Sequence, residues 1–447
     1  MKRNLQVLVL ALVLALLPLA AQASSYVLVA PNWGAKQTAA VAAAGGTVNF
    51  SHGKAGIGSV TSDAPGFLEA AMASKQFQYG SPDTMVQWTL PGPVVEAVNT
   101  SNDRFFPIQW NMASIEAPAA WAAGCTGQGA RVAVIDGGIF NAHQDLAGAI
   151  DTACSTSFVP GFAYNQDGGT FWHGTHVAGI IAARDNAVGT VGVAPDATII
   201  GVKALHNGSG SFAWVIGAIL YAADPASFGA TSCARADIIN MSLGAVFPKN
   251  ATGGGQLVAA LNKAVNFAAS QGVLVVSAAG NDGIDFGQAG NLVDVPGDSG
   301  SGIAVTATGP VGFALGATNF RRPASYSSYG EGYAFVAGPG GDGALPGNAI
   351  CTMTTNAAPT TNFCWVFDLV LAPCRGTTTN NYCFAAGTSM ATPAAAGVAA
   401  LIKASHPGIS LGALKAALAA SADDEGKIGH DEFYGHGYIN ARRACTQ

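Results

Sequence analysis

The sequence predicts an α/β domain with a mostly parallel sheet, preceded by a small α+β unit. Two observations predict the larger domain. Residues 131–135 (RVAVI) and 238–241 (IINM) are continuous apolar runs of the kind found in buried parallel strands. Only 10% of the 447 residues are charged, against about 25% in typical soluble domains, and 58 are glycine. Low charge and many small residues fit a buried sheet covered by Ala- and Gly-rich helices.

Composition also excludes several classes of protein. With 49% hydrophobic residues the chain can bury a large core, which argues against intrinsic disorder. The net charge of -6 offers no surface for neutralising phosphates, so no nucleic-acid partner is expected.

Residues 1–23 combine Lys2 and Arg3 with an apolar run and a small-x-small pattern (AQA). They predict a cleaved secretory signal peptide rather than a membrane anchor.

Export to the extracellular space would allow the eight cysteines to form disulfides. The spacing does not choose among the many possible pairings. Four cysteines lie close together along the chain, which suggests local bridges within one loop. These are Cys351, Cys364, Cys374 and Cys383. No pairing is predicted for the other four, which are Cys125, Cys154, Cys233 and Cys445.

Residues 24–100 follow a pattern of their own. A strand at residues 26–30 precedes an Ala-rich helical segment, and residues 47–50 alternate as a second strand does. A third strand at 57–60, a second helix at 65–74 and a closing strand at 85–88 complete the unit. The order strand, helix, strand, strand, helix, strand is a split ferredoxin-like arrangement. Taken alone, such a unit could also be a binding module.

Two of three candidate catalytic segments supply an aspartate and a histidine. The buried run ends in Asp136, at the strand end where α/β sheets hold catalytic groups, although Asp-Gly is also a common turn. Small residues after His173 predict a closely packed helix with this histidine at its start. His176 lies three residues further on, but a zinc-protease motif needs four-residue spacing and a glutamate base. A metal site is therefore not predicted there.

The third segment, residues 386–393 (AGTSMATP), places Ser389 at the start of an Ala-rich helix. A serine there, with a glycine before it, can present its hydroxyl to a carbonyl carbon. Asp136, His173 and Ser389 thus supply an orienting acid, a base and a nucleophile in that chain order. The order differs from those of α/β-hydrolases and of chymotrypsin-like enzymes.

The three motifs resemble those of subtilisin-like serine proteases, the subtilase family, and the resemblance extends over residues 105–444. It implies a subtilisin-like three-layer domain, residues 101–447, that hydrolyses peptides through an acyl-enzyme without a catalytic cofactor. It also implies that Asn281 is the oxyanion-hole side chain, with the Ser389 N–H as second donor. Gly137 departs from the family pattern, in which a hydroxyl residue is common.

The same resemblance identifies two edges for binding substrate, because an extended peptide is held best as an added strand. Each could also be an ordinary turn. The first edge comprises Ser242, Leu243 and Gly244, and the opposite edge comprises Gly208, Ser209 and Gly210. Neither edge carries a charge. The sequence therefore predicts broad specificity for uncharged P1 residues, P1 being the residue whose carbonyl is attacked.

A structural calcium site is a further implication of the resemblance, since hard cations prefer carboxylate, amide and carbonyl oxygens on a bent loop. A solvated polar turn is the alternative. The matching ligands are the side chains of Asp145 and Asn186, the carbonyls of Arg184, Val188 and Thr190, and the carboxylate of Asp103.

Residues 340–384 replace a shorter family connection, and we expect them to form a disulfide-pinned loop that restricts access to the cleft.

Residues 24–100 take the place of a subtilase propeptide, which assists folding and occupies the cleft until it is cut away, here between Pro91 and Asp103. The expected protein is therefore a secreted, monomeric, self-processing endopeptidase whose partners are polypeptide substrates and its own propeptide. Two alternatives remain open: a catalytically decayed binding or inhibitory relative, and a serine esterase.

Overall fold

The structure, a computed structural model, describes residues 24–88, the backbone of 94–97, and residues 105–169, 171–249, 254–356, 358–376 and 380–446. The predicted signal peptide and Asp103 lie outside these residues. The helices are α1 (Ala35–Ala43), α2 (Phe67–Ala73), α3 (Trp110–Ser114), α4 (Ala117–Ala122), α5 (His173–Ala182), α6 (Phe212–Ala223), α7 (Gly254–Ser270), α8 (Thr388–Ser405), α9 (Leu411–Ser421) and α10 (Ala441–Ala444).

The strands follow the same chain order. They are β1 (Ser24–Val29), β2 (Thr47–His52), β3 (Ile57–Ser62), β4 (Tyr79–Pro82), β5 (Met85–Gln87), β6 (Val94–Ala97), β7 (Arg131–Asp136), β8 (Thr156–Ser157), β9 (Thr198–Lys203), β10 (Ser209–Ser211), β11 (Ile238–Met241), β12 (Ala245–Pro248), β13 (Leu274–Ala278), β14 (Leu292–Val295), β15 (Ile303–Thr308), β16 (Ala334–Pro339), β17 (Ile350–Met353), β18 (Thr360–Phe363), β19 (Val370–Cys374) and β20 (Asn381–Ala385).

The central sheet has seven strands in the order β16-β15-β13-β11-β7-β9-β8, and all their pairings are parallel. Successive residues of a strand point to opposite faces of its sheet. Val132 and Val134 of β7 pack in one apolar core with α5 and α8, whereas Ala133 and Ile135 pack in another with α6 and α7. Helices therefore cover both faces, and the predicted α/β domain with a parallel sheet is confirmed.

This topology brings the predicted catalytic segments to one edge of the sheet. The strand β7 ends at Asp136, and α5 begins at His173. The helix α8 begins at Thr388, whose N–H donates a hydrogen bond to Asn281 beyond the end of β13. The carboxyl ends of parallel strands lie at the same edge, which is where open α/β sheets bind ligands. Within the described part of the chain, no helix is long and apolar enough to cross a membrane.

The N-terminal unit is a four-stranded antiparallel sheet in the order β2-β3-β1-β4, with α1 and α2 packed against it. Its other face packs on α6 and α7, through a core that includes Val27, Val29 and Ile57. Lys263 of α7 also donates to the carbonyl oxygen of Ala30 at 2.7 Å. The unit is therefore docked on the helical layer next to the sheet edge.

The prediction that residues 85–88 close this unit as its last strand is wrong. The closing strand is β4, six residues earlier, and β5 leaves the unit to pair with β10 of the larger domain. Alternating sequence predicts an extended segment but not its partner, because the same pleated strand can pair with any exposed edge.

Four disulfides join the eight cysteines: Cys125–Cys445, Cys154–Cys233, Cys351–Cys364 and Cys374–Cys383. The expected local bridges at residues 340–384 are confirmed. One closes the β17–β18 hairpin and the other closes the β19–β20 hairpin, and β20 leads directly into α8.

Candidate active site

A buried aspartate and a histidine are hydrogen-bonded at the sheet edge. His173 Nδ1 lies 2.8 Å from Asp136 Oδ2, and the Gly137 N–H donates to Asp136 Oδ1 at 2.6 Å. Burial disfavours the charged imidazole, but the charge and hydrogen bond of Asp136, aided by Asp167, outweigh it and raise the pKa of His173. The pair therefore holds one imidazole tautomer and stabilises the imidazolium form.

A second charged pair, not predicted from the sequence, lies beneath this one. Lys203 is fully buried, and its ammonium donates to the carbonyl oxygens of Gly137 and Leu205. Its Nζ lies 3.7 Å from Asp167 Oδ1. Burial lowers the pKa of Lys203 and raises that of Asp167, and the attraction between the two opposes both shifts.

The position of Asp167 explains the departure at Gly137. A Cβ atom on residue 137 would overlap the Asp167 carboxylate. A hydroxyl residue, common there in the family, cannot fit while Asp167 occupies that space. The one available signal in the sequence was Lys203, because a lysine ending an apolar strand beside β7 is rarely buried without a partner.

Ser389 lies in the first turn of α8, where backbone N–H groups have no partner within the helix. Its hydroxyl donates to the carbonyl oxygen of Ser242 at 3.1 Å, and its own carbonyl oxygen accepts from the Ser242 hydroxyl at 2.8 Å. These two bonds tie the start of α8 to the end of β11. Proton transfer from Ser389 to His173 requires the serine hydroxyl to turn away from Ser242.

Two N–H donors converge beside Ser389. Asn281 Oδ1 accepts from both the N–H and the hydroxyl of Thr388, each at 2.9 Å, which fixes the amide orientation. A Cβ on Gly387 would lie 3.5 Å from Asn281 Nδ2 and 3.6 Å from the Ser389 nitrogen. The missing side chain at residue 387 therefore leaves a space that faces both donors.

The two predicted substrate edges face each other across one cleft, and a segment of the N-terminal unit lies between them. The strand β5 pairs antiparallel with β10. Trp88 N donates to the Gly208 carbonyl oxygen at 2.9 Å, and its indole N–H donates to that of Gly210 at 2.8 Å. From the other edge, Gly244 N donates to the Trp88 carbonyl oxygen at 3.0 Å.

The backbone of β6 pairs antiparallel with β20, the strand of the 340–384 segment that leads to Ser389. The segments on either side of residues 89–93 thus both lie as added strands on the larger domain. This is the geometry by which an extended peptide is recognised through its main chain.

The pocket beside Ser389 contains acidic residues that the sequence analysis did not include. Asp282 and the buried Asp294 line it together with Asn281 and Gly244. Asp294 lies on β14, a short strand outside the central sheet, and it belongs to none of the motifs recognised in the sequence. The two edges carry no charge, as expected, but the pocket beside the Leu243 and Gly244 edge contains two aspartates.

The predicted calcium ligands lie around Asp145, which is fully buried. Its Oδ2 accepts from the N–H and hydroxyl of Thr190, at 2.8 and 3.0 Å, while its buried Oδ1 has no close hydrogen-bond partner, although the Tyr382 hydroxyl also acts on this carboxylate. Asn186 Oδ1 accepts from Val188 N at 3.0 Å, and Arg184 N donates to the Asp145 carbonyl oxygen. The orphaned carboxylate oxygen fits a bound cation. The described residues contain no cluster of three or more His, Cys, Asp or Glu side chains suited to a metal.

A histidine bonded to a buried aspartate, with a serine at a helix start on the same sheet edge, defines the class of a serine hydrolase. Comparison with known proteins identifies the family. The sequence profile of the subtilase family matches residues 127–437, more than half of the chain. M-protease of Shouchella clausii is 34% identical over 339 residues, which cover 75% of this chain and 70% of that protein. Subtilisin Savinase of Lederbergia lenta is 34% identical over 339 residues, or 98% of its length.

Solved structures show the same fold. The epidermin leader peptide processing serine protease of Staphylococcus aureus superposes with a TM-score of 0.72 at 22% identity, over 95% of this chain and 98% of that one. A Pseudoalteromonas arctica protease superposes with a TM-score of 0.58 at 28% identity, over 78% of this chain and 99% of that one. The chain belongs to the subtilase family, as predicted, and it is a serine-type endopeptidase.

Proposed function

We propose that the chain is a secreted endopeptidase in which Ser389, His173 and Asp136 form the catalytic triad. The observation that carries the proposal is the 2.8 Å hydrogen bond between His173 Nδ1 and Asp136 Oδ2. With Nδ1 bound to the carboxylate, Nε2 is the ring nitrogen left to accept a proton. A triad of this kind performs acyl transfer without a cofactor.

The proposed reaction has two halves. Ser389 Oγ attacks the peptide carbonyl while His173 Nε2 takes its proton, and the same nitrogen then protonates the leaving amine. Water hydrolyses the acyl-enzyme by the reverse sequence. Asp136 favours the imidazolium formed in each half, in agreement with the raised pKa of His173. The rate should therefore rise with pH as His173 loses its proton, and this should happen at a pH above 6.5, the ordinary pKa of histidine.

Asn281 Nδ2 and the Ser389 N–H are the proposed oxyanion donors. The geometry that supports this role is the space at Gly387 that both donors face. The Ser389 N–H lies at a helix N-terminus, where the partial positive charge of the helix adds to the stabilisation of an anion.

The N-terminal unit is proposed to be an inhibitory propeptide that the protease removes itself. Trp88 lies between the two substrate edges, with main-chain bonds to Gly208 and Gly244. Asp83 of the unit is half-buried and accepts from the N–H of Ala213, in the first turn of α6. Both contacts hold the unit over the cleft, so a peptide substrate cannot enter until the unit leaves.

The experiment is mass spectrometry of the secreted protein, wild type against Ser389→Ala. The wild type should appear as a mature form that begins between residues 91 and 103, and the variant as an uncleaved precursor. Mature wild type should cleave a denatured protein into Ser389-dependent fragments. Hydrolysis of activated esters without any peptide cleavage would instead support an esterase, and a wild type that hydrolyses neither would support a decayed relative.

A structural calcium ion is proposed at Asp145. The side-chain oxygens of Asp145 and Asn186 would hold it with the carbonyls of Arg184, Val188 and Thr190, and it would supply a positive charge that ties their loop to the sheet. The support is the unpartnered Asp145 Oδ1. Chelator should lower the melting temperature of the protein, and Asp145→Asn should remove that response.

A further inference from the structure

The pocket beside Ser389 is a cavity of about 240 Å³ with an acidic interior. It opens next to the nucleophile and is bounded by the Leu243 and Gly244 edge on one side, by Asn281 and Asp282 on another, and by residues 86–88 of the docked N-terminal unit. Among the described residues that line it, two are aspartates and none is Lys, Arg or His. A substrate side chain that enters this pocket therefore meets carboxylates without a competing cation.

Asp294 is the deepest of these groups and is only 1% exposed. The Tyr333 hydroxyl lies 2.9 Å from its Oδ2, and no salt bridge to Asp294 occurs in the described part of the chain. The other carboxylate oxygen, Oδ1, points toward Gly244. A Cβ on residue 244 would lie 3.1 Å from it, so the glycine leaves Oδ1 open to the cleft.

We propose that Asp294 makes this pocket select Lys or Arg at P1. The proposal rests on the proposed peptidase function and replaces the expectation of uncharged P1 residues, which considered only the two edges. A buried carboxylate without a cation is costly, and a positively charged substrate group supplies the missing partner. Lys and Arg also have long apolar stems, which suit the apolar walls between the cleft and Asp294.

The hydrogen bonds of Tyr333 allow Asp294 to be either neutral or charged. The Tyr333 hydroxyl lies 2.9 Å from both Asp294 Oδ2 and the Ala279 carbonyl oxygen, but it has one proton to donate. When Tyr333 donates to Ala279, a protonated Asp294 can donate to Tyr333. When Asp294 is ionised, Tyr333 donates to it instead. The pocket therefore accommodates both protonation states when the Tyr333 hydroxyl switches its proton between these two acceptors.

Burial raises the pKa of Asp294 to about 7. Tyr333 and the N–H of Gly297 oppose this shift, and the charges of Asp298 and Asp282 add to it. Lys249 acts on Asp298 in turn. Because the cation is attracted by the ionised form, the preference for a basic P1 residue should increase as pH rises through about 7, where a substrate lysine stays charged.

The test is kcat/KM on peptides that differ only at P1, with Lys, Arg, Leu, Phe and Glu. Secreted wild type at pH 8.5 should favour Lys and Arg over Leu by about 10- to 100-fold, the range for a hydrogen bond to a charged group. Asp294→Asn should abolish that ratio while Leu cleavage persists. Asp298→Asn, which removes an equal charge outside the pocket, should leave the ratio of Lys or Arg cleavage to Leu cleavage unchanged. A wild-type preference for Leu or Phe, or an unchanged ratio in Asp294→Asn, would overturn the proposal.

Two further measurements keep the proposal separate from folding and from the proposed function. If Asp294→Asn is not secreted, the wild-type ratio of Lys to Leu cleavage decides: an increase between pH 5.5 and 8.5 supports the proposal and a flat ratio overturns it. If no peptide is cleaved in a Ser389-dependent way, the peptidase function fails. Binding of p-aminobenzamidine then tests whether the pocket recognises a cation. An affinity at least tenfold weaker in Asp294→Asn than in wild type supports the proposal, and equal binding or no binding overturns it.

Discussion

Replacing Lys203 with Met tests whether the buried pair beneath Asp136 supports the active site. Met keeps an apolar stem in the same space but removes the ammonium that bonds to Gly137 and Leu205. Asp167 then loses its lysine partner, although it keeps the N–H donors of Gly168 and Asn207 and lies 3.5 Å from His206 Nδ1. Breaking a buried charge pair from one side typically costs about 3–5 kcal/mol of the free energy of unfolding.

The loss should depend on pH. Burial already raises the pKa of Asp167, and removal of Lys203 raises it further. Since the folded-state pKa then lies above the unfolded value, protonated Asp167 stabilises the fold at low pH and this stability is lost as pH rises through the folded-state pKa. We therefore expect the variant to lose less stability at pH 5 than at pH 8.

Denaturant unfolding in a Ser389→Ala background, which prevents self-digestion, measures these energies. The matched control is the double variant Lys203→Met with Asp167→Asn, which removes both charges and should recover a substantial part of the loss. In the active background, Lys203→Met should also lower kcat by about tenfold or more, because Gly137 positions Asp136. A single-variant loss below about 1 kcal/mol at pH 8, or a double variant whose losses simply add, would refute the reasoning.

Three further predictions concern the oxyanion site and the N-terminal unit. Asn281→Leu should lower kcat by about 100- to 1,000-fold with little change in KM, measured by steady-state hydrolysis, because its donor acts in the transition state. Gly387→Ala should lower kcat similarly by filling the space between the donors, and a normal kcat would show that this space is not used. Burial lowers the pKa of His52, which lies 3.3 Å from Asp224 across the unit's interface. Release of the cleaved unit should thus accelerate as pH falls below about 6.5, and His52→Gln should flatten that profile.

Much of the active site could be predicted because its residues lie in local motifs. Asp136 follows an unbroken apolar strand, and His173 and Ser389 each stand at the start of a helix of small residues. A few neighbouring residues are therefore enough to predict the catalytic role of each. Asp294 has no such signature, and Lys203 has only its place at the end of an apolar strand, because the roles of both depend on burial and on partners from distant segments.

The placement of β5 shows the same limit for the fold. Its alternating residues predicted a strand, but its hydrogen-bond partner is β10, about 120 residues further along the chain rather than its own unit. Register and partner are decided by which edge is exposed once the two units pack together. The pairing of Cys125 with Cys445 likewise follows from α4 and α10 meeting in space.

The sequence by itself determined the α/β class, the three candidate catalytic residues and the family, because hydrophobic period and motif are local properties. The tertiary structure alone decided which groups surround the nucleophile. It brought the carboxylate of Asp294 into a pocket beside the uncharged Leu243 and Gly244 edge, and it laid Trp88 between that edge and Gly208. The physical reason is that charge acts through distance and burial, and both are set by the path of the whole chain.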